Sequence, residues 1–114
     1  MHIPIDEQIR AILEGEVGAL AIRYAGGDLD ALDQMWTVTA IDVINEALAR
    51  GVPSSWVHWQ SGAEDGLYIV LNGSTWKLQM QERGSVLWQR DYKTKEEATE
   101  AAVRLFLLPK PMKP

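Results

Sequence analysis

His58, Glu64 and Asp65 come nearest to a reactive set in this chain. A histidine beside two carboxylates can pass protons or hold a cation. Metal sites, however, need three or four ligands at recurring spacing, and the other histidine, His2, stands at the far end of the sequence. The better reading packs His58 in a strand between Trp56 and Trp59, with Glu64-Asp65 as a polar turn before Gly66. Asp28, Asp30 and Asp33 suggest calcium, but leucines occupy positions where a calcium loop carries polar ligands or glycine. Gly15, Gly18, Gly26 and Gly27 follow no strand and precede no Gly-Lys-Ser/Thr, so they do not form a phosphate loop. No Ser, Thr or Lys has a base partner at motif spacing, and there is no cysteine. The expectation is no catalytic residue, no metal and no cofactor, with a small enzyme or metal-dependent domain on His58, Glu64 and Asp65 as the alternative.

Charge is the stronger signal. The net charge is −5, but residues 1–65 hold eleven acids and three bases, whereas residues 66–114 hold five acids and eight bases. An acidic half repels nucleic acid and favours a basic partner. The candidate partner-binding acids are Glu14, Glu16, Asp28, Asp30, Asp33, Asp42, Glu46, Glu64 and Asp65. Apolar residues make up 46 % and charged residues 24 %, the composition of a globular domain. With 114 residues, one domain is expected. The start MHIPIDEQIR lacks the pattern of a signal peptide, and no apolar run reaches membrane-spanning length. The expected address is cytoplasmic, with no membrane and no nucleic acid as partner.

These acids must be positioned by helices. Ile5, Ile9, Ile12, Leu13, Val17, Leu20 and Tyr24 draw one apolar stripe, which predicts a helix ending at Gly26-Gly27. Asp28 caps a short turn. Thr39 and Asp42 form a capping box for a helix with Ile41, Ile44 and Leu48 on one face, stopped by Gly51 and Pro53. Residues 28–50 as one longer helix remain the alternative.

After residues 1–52 the period changes to two. Residues 55–92 predict an antiparallel meander of about four strands, the first from Trp56 to Gln60. A type I′ turn at Asn72-Gly73 sets Ile69 opposite Trp76 and Leu67 opposite Leu78. A two-residue Arg83-Gly84 turn scatters the apolar face, so a three-residue loop, Glu82-Arg83-Gly84, is expected. It opposes Met80 to Val86, Leu78 to Trp88 and Trp76 to Arg90, leaving Arg90 over the Trp76 ring. Thr94 and Glu97 cap a final helix over residues 94–108, with Ala98, Ala102 and Leu105 facing the sheet. The tail KPMKP is expected to fray. The fold class is α+β, with helices covering one sheet face. Of five tryptophans, Trp76 and Trp88 fit the core, and Trp36, Trp56 and Trp59 are open to the core or a binding patch. Tryptophans lining an apolar pocket would make a ligand-sensing module, a further alternative.

Residues 66–108 resemble the C-terminal half of small immunity proteins from bacterial polymorphic toxin systems, of the contact-dependent inhibition, Rhs and type VI kinds. The resemblance rests on Leu71, Asn72-Gly73, Trp76, Glu82-Arg83-Gly84, Tyr92, Thr94, Glu96-Glu97 and Ala98. Where the family often places a cysteine after that alanine, Thr99 stands here, and Arg104-Leu105-Phe106 replaces an aromatic pair. The resemblance implies a cytoplasmic protein that binds and neutralises a cognate secreted toxin domain, commonly a nuclease. It leaves Glu82-Arg83-Gly84 mainly structural.

Overall fold

A computed structural model describes residues 2–53 and 57–114; Trp56, placed by the sequence in the first strand, lies outside the described residues. The architecture is α+β. Helices α1 (Ile5–Glu14), α2 (Val17–Ala25), α3 (Leu29–Asp33) and α4 (Ala40–Arg50) come first. Strands β1 (Val57–His58), β2 (Gly66–Asn72), β3 (Thr75–Glu82) and β4 (Ser85–Tyr92) follow, and helix α5 (Lys95–Ala102) runs into a π-helical turn at Val103–Leu107.

The first apolar stripe is two helices rather than one. Gly15 takes φ +74, a left-handed value that ends α1 and turns the chain so that α2 packs back on α1. Residues 28–50 likewise divide. Asp28 Oδ1 accepts from the N–H groups of Asp30 and Ala31 to cap α3, and Thr39 with Asp42 completes a reciprocal capping box on α4. The buried face of α4 is Ala40, Val43, Ile44 and Ala47, while Ile41 and Leu48 are exposed. Small residues win that face because both α1 and α5 pack against α4.

The sheet order is β1-β2-β3-β4, but it is mixed: β1 pairs in parallel with β2 over two residues, and only β2, β3 and β4 form the antiparallel meander. Instead of a simple hairpin, residues 59–65 double back. They are held there by Tyr68 Oη donating to the Glu64 carbonyl and by Gln81 Nε2 donating to the Gly62 carbonyl.

Both hairpins turn differently from expectation: the first turn is shifted by one residue and the second is one residue shorter. Ile69 faces Leu78, Leu71 faces Trp76 and Asn72 faces Thr75, so the central residues of the first turn are Gly73-Ser74. Gly73 alone has positive φ (+66), the pattern of a type II′ turn, which needs glycine in its first central place. In the second hairpin Glu82 faces Ser85 across a two-residue Arg83-Gly84 turn, both residues with positive φ (51° and 79°). The scattering such a turn would cause is corrected one pair later. Gln81 faces Val86 but Met80 faces Trp88, so Leu87 is an extra residue and the bulge restores the apolar face. Leu78 then faces Arg90, and Trp76 faces Tyr92. Arg90 lies over Trp88, and Lys95 Nζ takes the place near Trp76, 6.0 Å from its ring and 4.8 Å from that of Trp59.

α5 covers the face formed by Leu67, Ile69 and Leu78, with Ala98 and Ala102 against it. Leu105 is exposed, because the wider π-helical turn buries Val103 and swings Phe106 over Trp88, 5.5 Å between ring centroids. The tail is docked rather than frayed. Met112 packs on the main core, and the Lys113 carbonyl accepts the Ala40 N–H at 2.8 Å, satisfying a first-turn donor of α4.

Candidate functional site

His58 is built into the loop, not poised over a cleft. Its Nε2 lies 3.0 Å from the Asp65 carbonyl, which can only accept, so Nε2 carries the proton. The ring stacks on Tyr68 at 4.6 Å, and Nδ1 stands 3.7 Å from Glu64 Oε2. Asp65 spends its carboxylate on the Arg83 N–H at 2.7 Å. His58, Glu64, Asp65 and Arg83 are thus brought together, and their contacts hold the 59–65 loop to the second hairpin. Among the described residues no group of three or more His, Asp or Glu could hold a metal ion.

The Glu82-Arg83-Gly84 corner has the same character. Its glycine serves a left-handed turn position, and the Arg83 backbone serves Asp65. Trp76 and Tyr92 pack on the main core, Ala98 is fully buried, and Thr94 Oγ1 caps α5 by accepting the Glu97 N–H at 3.1 Å.

The nine acids do not converge on one patch. Asp28 and Asp42 cap helices, Asp33 accepts the Trp36 indole N–H at 3.1 Å, and Glu46 pairs with Arg50 at 2.6 Å. α3 touches none of the strands, so Asp28, Asp30 and Asp33 sit apart from Glu64 and Asp65. Exposed Glu16 and Asp30 stand on the α1–α2–α3 part, with Glu14 half-buried beside them. The two charge halves keep their signs. Among the described residues every Lys or Arg ion pair lies within one half: Arg23–Glu7 and Arg50–Glu46 in the first, Lys77–Asp91 and Arg104–Glu100 in the second. Comparisons with protein-family models, curated proteins and solved structures give no match.

Two features escape a reading of the sequence. Gln8, on the buried stripe of α1, is fully buried and makes four bonds: Nε2 to the Ile3 carbonyl and Thr37 Oγ1, Oε1 from the N–H groups of Thr37 and Val38. A polar residue at an apolar stripe position was the available signal. The other is two exposed apolar side chains in the acidic half, Ile22 at 73 % and Leu29 at 54 %, on the packed helices α2 and α3. Leu29 sits between Asp28 and Asp30 in sequence.

Surface grooves are shallow and mixed in character. One of about 510 Å³ runs between residues 33–39 and the tail and includes Trp36 and Met112. Another, about 280 Å³, lies between α4 and the start of α5, with Trp59 and Lys95 on its walls. Neither gathers the tryptophans into a single apolar pocket.

Proposed function

We propose that this protein is an immunity protein, which binds a cognate secreted toxin domain and neutralises it through an acidic surface on its helical part. A basic nuclease is the toxin class that fits. The observation that carries this reading is the segregation of charge: no described ion pair joins the acidic half to the basic half. The three bases of the acidic half are too few to offset its eleven acids, so a net negative field is left for another molecule. The resemblance of residues 66–108 to polymorphic-toxin immunity proteins adds the partner class. Ile22 and Leu29 supply the apolar anchors that charged rims surround in specific interfaces. A complex of ordinary size would bury about 1,600 Å² in total.

The test is to seek a toxin domain in the reading frame beside this protein's own and to measure its association across ionic strength. Steering by complementary fields raises association rates by about tenfold or more at low salt and fades as the Debye length shrinks. Replacing Glu14, Glu16 and Asp30 by their amides should slow association at low salt and leave folding intact. Leu29→Arg should speed dissociation and abolish protection of toxin-expressing cells. A rate indifferent to both salt and these substitutions, or protection that survives Leu29→Arg, overturns the reading.

A further inference from the structure

The two edges of the sheet are treated differently. At one, β1 offers only two residues among the described ones, too few to template another strand. At the other, β4 offers eight residues, none of them Lys or Pro, and its one bulge at Leu87 leaves 88–92 in regular register. Lysine, proline and bulges are among the usual devices that stop edge-to-edge pairing, and this stretch has none of these three; its two charges, Arg90 and Asp91, are of opposite sign. Apolar side chains gather at the same edge: Val86 is 48 % exposed, Leu87 57 %, and Phe106, stacked on Trp88, 39 %.

The geometry points to a second copy of this chain as the occupant of the β4 edge, pairing antiparallel about a two-fold axis to give a continuous eight-stranded sheet. Charge favours a copy over a foreign strand. Residues 85–108 balance four bases (Arg90, Lys93, Lys95, Arg104) against four acids (Asp91, Glu96, Glu97, Glu100), so this region is neutral in a chain of net charge −5. Two copies meet there without the repulsion that the acidic helices would impose. An antiparallel ladder also reads the same from both strands, which closes the assembly at two.

Charge also selects the register. Centring the axis on Arg90 or Asp91 sets like charges directly opposite, which destabilises a cross-strand pair. Centring it on Gln89 sets Arg90 of each copy opposite Trp88 of the other. That contact already has its intrachain counterpart, with the Arg90 guanidinium 5.7 Å from the Trp88 ring centroid. The inference stands independently of the immunity reading.

Because the chain has no cysteine, a single introduced thiol reports on proximity without background. Sedimentation equilibrium of the full chain should show dimers. Mild oxidation should cross-link Gln89→Cys rapidly, while Asn45→Cys, exposed on α4, stays uncross-linked. Gln89→Lys, which puts two ammonium groups on the axis, should weaken dimerisation at least tenfold without altering the far-UV spectrum. A chain that remains monomeric up to its solubility limit overturns the inference. So does equal cross-linking at both thiols, or protection of β4 amides from exchange that arises only when toxin is added.

Discussion

The Asp65 carboxylate accepts the Arg83 backbone N–H at 2.7 Å, and this bond ties the loop after β1 to the turn between β3 and β4. It turns the pair of acids most suggestive of chemistry into a fastener. Asp65→Ala should lower stability by about 1 kcal/mol, the scale of an exposed hydrogen bond to a charged group. Asp65→Asn, which keeps an acceptor, should recover most of it. Urea unfolding of the two variants checks this; equal losses would show that charge, not the bond, holds the loop.

The turn itself makes a second prediction. Arg83 sits at φ 51°, a left-handed value that costs a side chain of its kind about 1 kcal/mol. Arg83→Asn should therefore stabilise the protein by up to about 1 kcal/mol, since Asn-Gly suits a type I′ turn. Gly84→Ala at φ 79° should destabilise by about the same amount. Thermal melts read both changes, and their opposite signs are the point.

Gln8 carries the largest expected effect. Gln8→Leu leaves the N–H groups of Thr37 and Val38 and the Ile3 carbonyl without their partner inside the protein. The cost should be about 2–4 kcal/mol, since each buried unsatisfied group contributes about 1–3 kcal/mol. A change below about 1 kcal/mol in denaturant unfolding would mean that water replaces the side chain there.

Alkaline pH should reveal the Glu7–Tyr24 contact. The Tyr24 phenol donates to Glu7 Oε2, and this bond, helped by burial and the Glu7 charge, raises its pKa above the ordinary 10.0 against the opposing pull of Arg23. The folded-state value is therefore the higher one. The contribution is fully present below pH 10 and is lost as pH climbs through the raised value. Tyr24→Phe should remove this component of alkaline destabilisation, and the ultraviolet titration of tyrosinate should lose a late-ionising step in that variant.

Much of this fold was written locally. Capping at Asp28, Thr39 and Thr94 depends on residues two or three places apart, and all three caps form where side-chain chemistry puts them. The sheet faces also follow from alternation. The Gly73-Ser74 turn moves each partner of β2 by two residues, and an even shift leaves every side chain on its own face. What local rules could not supply was a choice between near-equal turns. Arg83-Gly84 looks wrong until the bulge at Leu87 is known, and the bulge is a property of the packed sheet. The parallel pairing of β1 and the docking of Met112 depend on contacts between distant residues, whereas the break at Gly15 is a local left-handed cap that a continuous apolar stripe conceals. The acids were legible as charge, but not the engagement of Asp28, Asp33, Asp42 and Asp65 within the fold.

Leu32 is the one fully buried side chain of α3, and it plugs a small cluster with Ile3, Ala11, Leu20 and Ala21 that is separate from the sheet core. α3 leans on α2 and on no other described element. A corner that leans on one helix can open and reclose while the sheet stays shut, at a fraction of the free energy of global unfolding. The stretch richest in aspartate can therefore shift against a partner without disturbing the strands, with which α3 shares no contact.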